Sequence, residues 1–76
     1  MTSDILKNLI RTHWSHILFE YNGKECGVDP FSTTKYDVWC GDELRQVESV
    51  DEVMALTIFD GKSLNDIAEV ITNIEL

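Results

Sequence analysis

The sequence predicts an α+β domain: a small antiparallel meander of three or four strands packed on one face by an N-terminal helix and two C-terminal helices. Three observations predict it: an apolar stripe with helical spacing, an Asn-Gly pair between two strand-like runs, and two later serine caps. The 76 residues, numbered 1–76, suffice for a single domain. Helices on one face of an antiparallel sheet bury both apolar surfaces.

The first predicted element is an amphipathic helix over residues 4–14. Ser3 is its predicted N-cap, and Asp4 lies in the first turn, where the helix dipole favours a carboxylate. Spacings of three and four residues predict one buried stripe. Its members are Ile5, Leu6, Leu9, Ile10 and Trp14.

Asn22 and Gly23 predict a tight hairpin, because a type I′ turn needs positive φ at both central residues. A two-residue turn also fixes the register of the two strands. The apolar side chains then share the core side, whereas Leu18, Glu20 and Glu25 fall on the other side. There the two glutamates are interpreted as solvated charge, with a bound cation as the alternative. The predicted pairs are Tyr21 with Lys24, Glu20 with Glu25, Phe19 with Cys26, and Ile17 with Val28.

A proline and a polar loop are predicted to end the second strand at Pro30. The segment "YDVWC" is the predicted third strand, with Tyr36, Val38 and Cys40 facing the core and Trp39 facing away. The segment "LRQV" predicts a short fourth strand after a turn.

Two capping signals predict the later helices. Ser49 with Glu52, and Ser63 with Asp66, have the spacing of a capping box. The first helix is predicted to end at Asp60-Gly61. The predicted apolar positions are Val50, Val53, Met54 and Ile58 in the first helix, and Leu64, Ile67, Ala68, Ile71 and Ile74 in the last.

The charge balance narrows the possible partners. Fourteen acidic and six basic side chains give a net charge of -8. This disfavours direct binding to nucleic acid or to an anionic membrane, and it favours either solubility alone or a basic partner. The N-terminal segment has no signal-peptide pattern and no stretch is long and apolar enough to span a membrane, so we expect a cytoplasmic protein with reduced thiols.

Histidines and cysteines raise the question of a metal site. His13 and His16 are three apart, but Cys26 and Cys40 are 14 apart on different predicted strands, without the short clamp of a zinc site. We therefore expect core and helix-end roles, no metal and no cofactor, and keep a small metal-binding protein as an alternative. No nucleophile elbow or glycine-rich phosphate loop occurs, and no enzyme is predicted.

Five residues are the predicted partner-binding set. Trp39 and Leu18 point away from the predicted core, and a tryptophan rimmed by acids is typical of an interface. The alternative is a bulged strand that places Trp39 in the core. The acids near Trp39 in sequence are interpreted either as a patch for a basic partner or as solvated turns. The set comprises Leu18, Trp39, Asp42, Glu43 and Glu48.

The segments "FEYNGKECGVDPF", "YDVWCGDE", "VDEVM" and "FDGKSLNDI" give most of the chain a family likeness. It resembles small, acidic, uncharacterised proteins of Gram-positive bacteria and their mobile elements. The resemblance implies a bacterial cytosolic setting and no catalytic residue. We expect a non-enzymatic protein that acts by protein–protein interaction or self-association as a homodimer; the alternative is an acidic inhibitor that mimics the charge of nucleic acid.

Overall fold

The computed structural model describes residues 1–12 and 15–76. In that part of the chain, five strands form one antiparallel sheet in the order β4-β3-β2-β1-β5. The α+β prediction is confirmed, with a fifth strand in addition to the three or four expected. The elements are α1 (Ser3–Thr12), β1 (Ile17–Tyr21), β2 (Lys24–Ser32), β3 (Lys35–Cys40), β4 (Glu43–Val47), α2 (Val50–Ala55), α3 (Leu64–Ile67) and β5 (Thr72–Glu75).

One core lies between the sheet and the three helices. Alternate residues of β1 and β3 are buried, as the predicted pleat requires. In β2, Cys26, Val28 and Pro30 follow the same alternation, and Gly27 between them is buried as well. The strand side chains of the core pack with buried side chains of the helices and of the segment between α2 and α3, and the rings of Phe19 and Phe59 lie 5.9 Å apart. The helical contribution to this core is Leu6, Ile10, Val53, Met54, Leu64 and Ile67.

The β1–β2 hairpin confirms the predicted turn and register. Asn22 and Gly23 have φ values of 51° and 75°, as a type I′ turn demands. All four predicted cross-strand pairs are present, from Tyr21 with Lys24 to Ile17 with Val28. The local signal therefore determined which side chains of the hairpin face the helices.

The prediction that Pro30 ends the second strand is wrong. Strand β2 continues to Ser32, and Pro30 pairs with Tyr36 of β3. Among the described residues, β1 pairs with β2 only as far as Val28, so Pro30 lies where β2 has one neighbour. A proline is tolerated at such an edge because no second strand needs its missing N–H.

The prediction of a single long C-terminal helix is also wrong. Helix α3 ends at Ile67, and the chain then turns and forms β5 along the free edge of β1. Pairing with β1 satisfies backbone groups that a helix would leave exposed at this edge. Ile71 is still buried and Ile74 still packs against the core, so the apolar assignments stand although the secondary structure differs.

Helix boundaries shift by one to several residues. Thr2, not Ser3, caps α1, since its Oγ1 accepts a hydrogen bond from the N–H of Ile5 at 3.3 Å. Ile5 itself is 57% exposed, and Trp14 of the predicted stripe lies outside the described residues. Helix α2 ends at Ala55, so Ile58 reaches the core from an extended segment.

The serine caps are confirmed. The N–H of Glu52 donates to Oγ of Ser49 at 3.1 Å, and the Ser49 hydroxyl donates to Glu52 at 3.2 Å. At α3, the carboxylate of Asp66 accepts from both the N–H and the hydroxyl of Ser63, each at 3.0 Å. These hydrogen bonds satisfy groups at the helix starts that the helix itself leaves unpaired.

Candidate partner-binding face

The face of the sheet that points away from the helices carries an apolar row. Strand register places four residues side by side across β1, β2, β3 and β4, because Leu18 pairs with Gly27, Gly27 with Trp39, and Trp39 with Leu44. We call these four residues the apolar row. With strands about 4.8 Å apart, the row spans about 14 Å.

Trp39 lies over the backbone of Gly27. A Cβ on Gly27 would stand 2.3 Å from Cζ2 of Trp39 and 2.8 Å from the carbonyl oxygen of Ile17, so only glycine fits beneath the ring. An aromatic side chain that covers a glycine across the strand pair is a known way to stabilise a sheet. The register of β2 with β3 is continuous from Cys26 to Pro30, so no bulge turns Trp39 into the core.

Carboxylates flank the apolar row on both sides. Glu20 lies directly opposite Glu25 in β1 and β2, and Asp29 lies directly opposite Asp37 in β2 and β3. Glu75 of β5 pairs with Leu18 at the end of the row. Like charges directly opposed across two strands destabilise a sheet. The face therefore carries an arrangement that folding alone does not favour.

These five carboxylates take no part in the ion pairs of the described residues. Asp37 accepts one neutral hydrogen bond, from Nε2 of Gln46 at 3.0 Å. The ion pairs use carboxylates elsewhere: Asp51 with Lys7, Asp60 with Lys24, and Glu43 with Arg45. The negative charge on this face is thus available to an external cation.

A shallow pocket opens beside the row. Its volume is about 170 Å³, below the roughly 300 Å³ at which small-molecule sites begin. That volume suits one side chain of a partner. The pocket is lined by apolar and acidic side chains, among them Leu18, Trp39, Glu20, Glu25 and Glu75. A lysine or arginine fits this mixture, since its stem is apolar and its head is cationic.

The structure brings together only part of the predicted binding set. Leu18 and Trp39 line the same pocket, but Asp42 and Glu43 lie at the turn between β3 and β4. Glu48 follows the opposite end of β4, about 16 Å from Glu43 at 3.3 Å per residue. Glu43 is also paired with Arg45, with 3.8 Å between the charged groups.

The residues that accompany Trp39 on the outer face lie outside the predicted binding set, apart from Leu18. The sequence pattern favours solvated charge for Glu20 and Glu25, with a bound cation as the alternative, and it predicts no role for Gly27. The signal was present in the hairpin register, which already placed the two glutamates opposite each other on the side of Leu18. Gly27 follows from the same register, since it pairs with Leu18. Leu44 could not be found, because pairing between β3 and β4 depends on the turn that joins them.

Residues considered for metal binding are dispersed. His16 is exposed, and His13 lies outside the described residues. Cys26 and Cys40 are buried against each other, and burial together with the Cys40 thiol raises the pKa of Cys26 to about 12. Within residues 1–12 and 15–76, no three histidine, cysteine or carboxylate side chains converge as a metal site would require.

Comparison with known proteins gives no relative to guide the assignment. No family model, curated protein or solved structure matches this chain. In the described part of the chain, no helix combines the length and apolar character needed to cross a membrane.

Proposed function

We propose that this chain is a non-enzymatic binding protein whose outer sheet face takes a basic protein partner in the cytoplasm. The observation that supports the proposal is the apolar row with opposed, unpaired carboxylates on both sides. Apolar centres with polar rims are typical of protein interfaces, and tryptophan is enriched among their anchors. The proposed anchor is Trp39, with Leu18 and Leu44 beside it.

Charge complementarity favours a basic partner over a second copy of the chain. A homodimer through this face would bring two sets of five carboxylates together, on chains that each carry a net charge of -8. Such like-charge contact costs several kcal/mol in an interface. A partner with lysine or arginine would instead neutralise the opposed pairs. Proteins that bind nucleic acid are one class with this charge.

The test is a titration of the folded protein with a short peptide of alternating lysine and leucine. Binding is measured from changes in the amide chemical shifts of the protein. We expect shift changes at Leu18, Gly27, Trp39 and Leu44, and weaker binding as salt rises. An otherwise identical peptide with glutamate in place of lysine should not bind. Shifts spread evenly over the acidic surface would contradict a site on this face.

Two variants separate a local anchor from a general effect. Trp39→Ala should reduce peptide affinity at least tenfold, as expected for an interface anchor. Val70→Ala is the control, because Val70 is 62% exposed and lies between α3 and β5, outside the five strands. If the two variants bound the peptide with equal affinity, Trp39 would not belong to the site. A concentration-dependent dimer that is lost in Trp39→Ala would favour self-association instead.

A further inference from the structure

The two cysteines are placed for a covalent bond. Cys26 of β2 and Cys40 of β3 are direct cross-strand partners, 1% and 3% exposed. Their sulfur atoms are 2.9 Å apart, under an ångström beyond the disulfide bond length of about 2.05 Å.

Backbone hydrogen bonding shows why the sulfurs meet. The N–H of Gly41 donates to the carbonyl of Glu25 at 2.9 Å, so residues 25 and 41 form a hydrogen-bonded pair. Hydrogen-bonded and non-hydrogen-bonded pairs alternate along an antiparallel ladder. The next pair, Cys26 with Cys40, is therefore a non-hydrogen-bonded pair. There the Cα atoms lie about 4.5 Å apart, within the disulfide range of about 4.4–6.8 Å. A disulfide can form with little movement of either strand.

We propose that Cys26 and Cys40 form a reversible disulfide by exchange with a small-molecule disulfide such as oxidised glutathione. One cysteine thiolate attacks glutathione disulfide, forms a mixed disulfide and releases one glutathione thiol. The second cysteine attacks the protein sulfur of that mixed disulfide and releases the second glutathione. The two cysteines lose two protons and two electrons, and glutathione disulfide gains them to become two thiols.

The surroundings of the pair make this a slow exchange. The thiolate is the attacking species, and burial raises the pKa of Cys26. The surface pocket nearest to Cys40 lies at the β3–β4 turn and is lined by Lys24, Cys40, Gly41, Asp42 and Glu43, and the low exposure of both cysteines limits access to the thiols. The crosslink would join the two strands that carry Gly27 and Trp39, each next in sequence to one of the cysteines.

The experiment exposes the folded wild-type chain to mixtures of oxidised and reduced glutathione. Samples are quenched in acid, and thiols are counted by intact mass and by maleimide labelling after denaturation. We expect a monomer about 2 Da lighter with no labelled cysteine, formed faster at alkaline than at neutral pH. The oxidised form should melt higher by on the order of 10 °C, because the bond closes a loop in the unfolded chain. Excess reduced glutathione should restore both thiols.

The control variant Cys40→Ser should give at most a glutathione adduct and no rise in melting temperature. Three outcomes would overturn the proposal: a disulfide between two chains, a wild-type glutathione adduct that never closes, or a disulfide that forms only in denaturant. The wild-type mass and melting temperature decide the question even where a variant folds poorly.

Discussion

Gly27 is the residue on which the candidate face depends most directly. It occupies the centre of the apolar row, and its missing side chain lets the ring of Trp39 lie on the strand. Trp39 is half-buried there, so it contributes to folding as well as to the exposed surface. Trp39 therefore has a structural role in addition to its place in the apolar row.

We expect Gly27→Ala to destabilise the fold by roughly 1–3 kcal/mol, the usual cost of forcing an extra methyl into a packed site. The added Cβ would meet both the Trp39 ring and the fixed carbonyl of Ile17, so movement of the ring alone does not relieve the clash. Urea unfolding measures the loss. Leu44→Ala is the control, since Leu44 is 58% exposed and its truncation should leave the midpoint nearly unchanged. An unaltered midpoint in Gly27→Ala would show that Trp39 does not lie on Gly27.

At the scale of elements, the β1–β2 turn is linked to a second tight turn that lies outside the sheet. Asp60 and Gly61 have φ values of 55° and 80° and close a short bridge between Phe59 and Lys62. The carboxylate of Asp60 accepts from Nδ2 of Asn22 at 2.9 Å and pairs with Nζ of Lys24 at 2.5 Å. The β1–β2 turn is thereby tied to the segment between α2 and α3.

Replacing Gly23 with valine should cost on the order of 1–3 kcal/mol, the usual strain of a disfavoured backbone conformation. Gly23 has a φ of 75°, and a β-branched residue resists this region, although no neighbouring atom would clash with its Cβ. Thermal melting compares it with Gly23→Asn, since asparagine tolerates positive φ and leaves the Asn22–Asp60 hydrogen bond in place. If Gly23→Val melted with the wild type, the turn would have to adopt another conformation in solution.

The link through Asp60 predicts a pH dependence. The Lys24 and Asn22 hydrogen bonds lower the pKa of Asp60 below its usual value. Asp60 therefore binds a proton less readily in the folded protein than in the unfolded chain. The stability that this carboxylate contributes is lost as the pH falls through the pKa of Asp60 in the folded state. Stability measured from neutral to acid pH should fall less steeply in Asp60→Asn than in the wild type. Parallel profiles would mean that the carboxylate does not form these contacts in solution.

At the scale of the whole molecule, charge opposes folding on the outer face. The opposed pairs Glu20–Glu25 and Asp29–Asp37 lie on a chain with a net charge of -8. Residues selected only for stability would not place like charges in register. A surface that gives up stability in this way is expected where a partner supplies the opposite charge.

Neutralising one pair of opposed carboxylates tests whether they lower stability and promote binding. The double variant Glu20→Gln with Glu25→Gln should gain roughly 0.2–1 kcal/mol of stability at low salt, since the repulsion across the strands is removed. The same variant should bind the lysine peptide more weakly, mainly through slower association.

The matched control is Asp4→Asn with Glu69→Gln, which changes the net charge equally at exposed positions off the sheet. If the control lost as much affinity as the sheet variant, binding would follow total charge. A sheet variant that lost stability would show that the glutamates contribute to the fold in some other way.

The sequence alone determined the features that depend on near neighbours. The Asn22-Gly23 turn fixed the register of β1 and β2, and alternation then assigned core and outer residues on three strands. The caps at Ser49 and Ser63 marked two helix starts. Each of these follows from backbone preferences or hydrogen bonds within a few residues, so no knowledge of the rest of the chain was needed.

Tertiary structure decided the features that depend on distant partners. The segment from Ile71 to Glu75 has an apolar spacing that also suits a helix, but the open edge of β1 draws it into β5. Pro30 stays within β2 because the neighbouring β1 ends its pairing before that point. The candidate site also combines residues that are distant in sequence, since its acidic side chains come from β1, β2, β3 and β5. Asp42, Glu43 and Glu48 are close to Trp39 in sequence, but they lie at the two ends of the edge strand β4. Neighbours across a sheet are set by strand order, and strand order is a property of the folded chain rather than of any one segment.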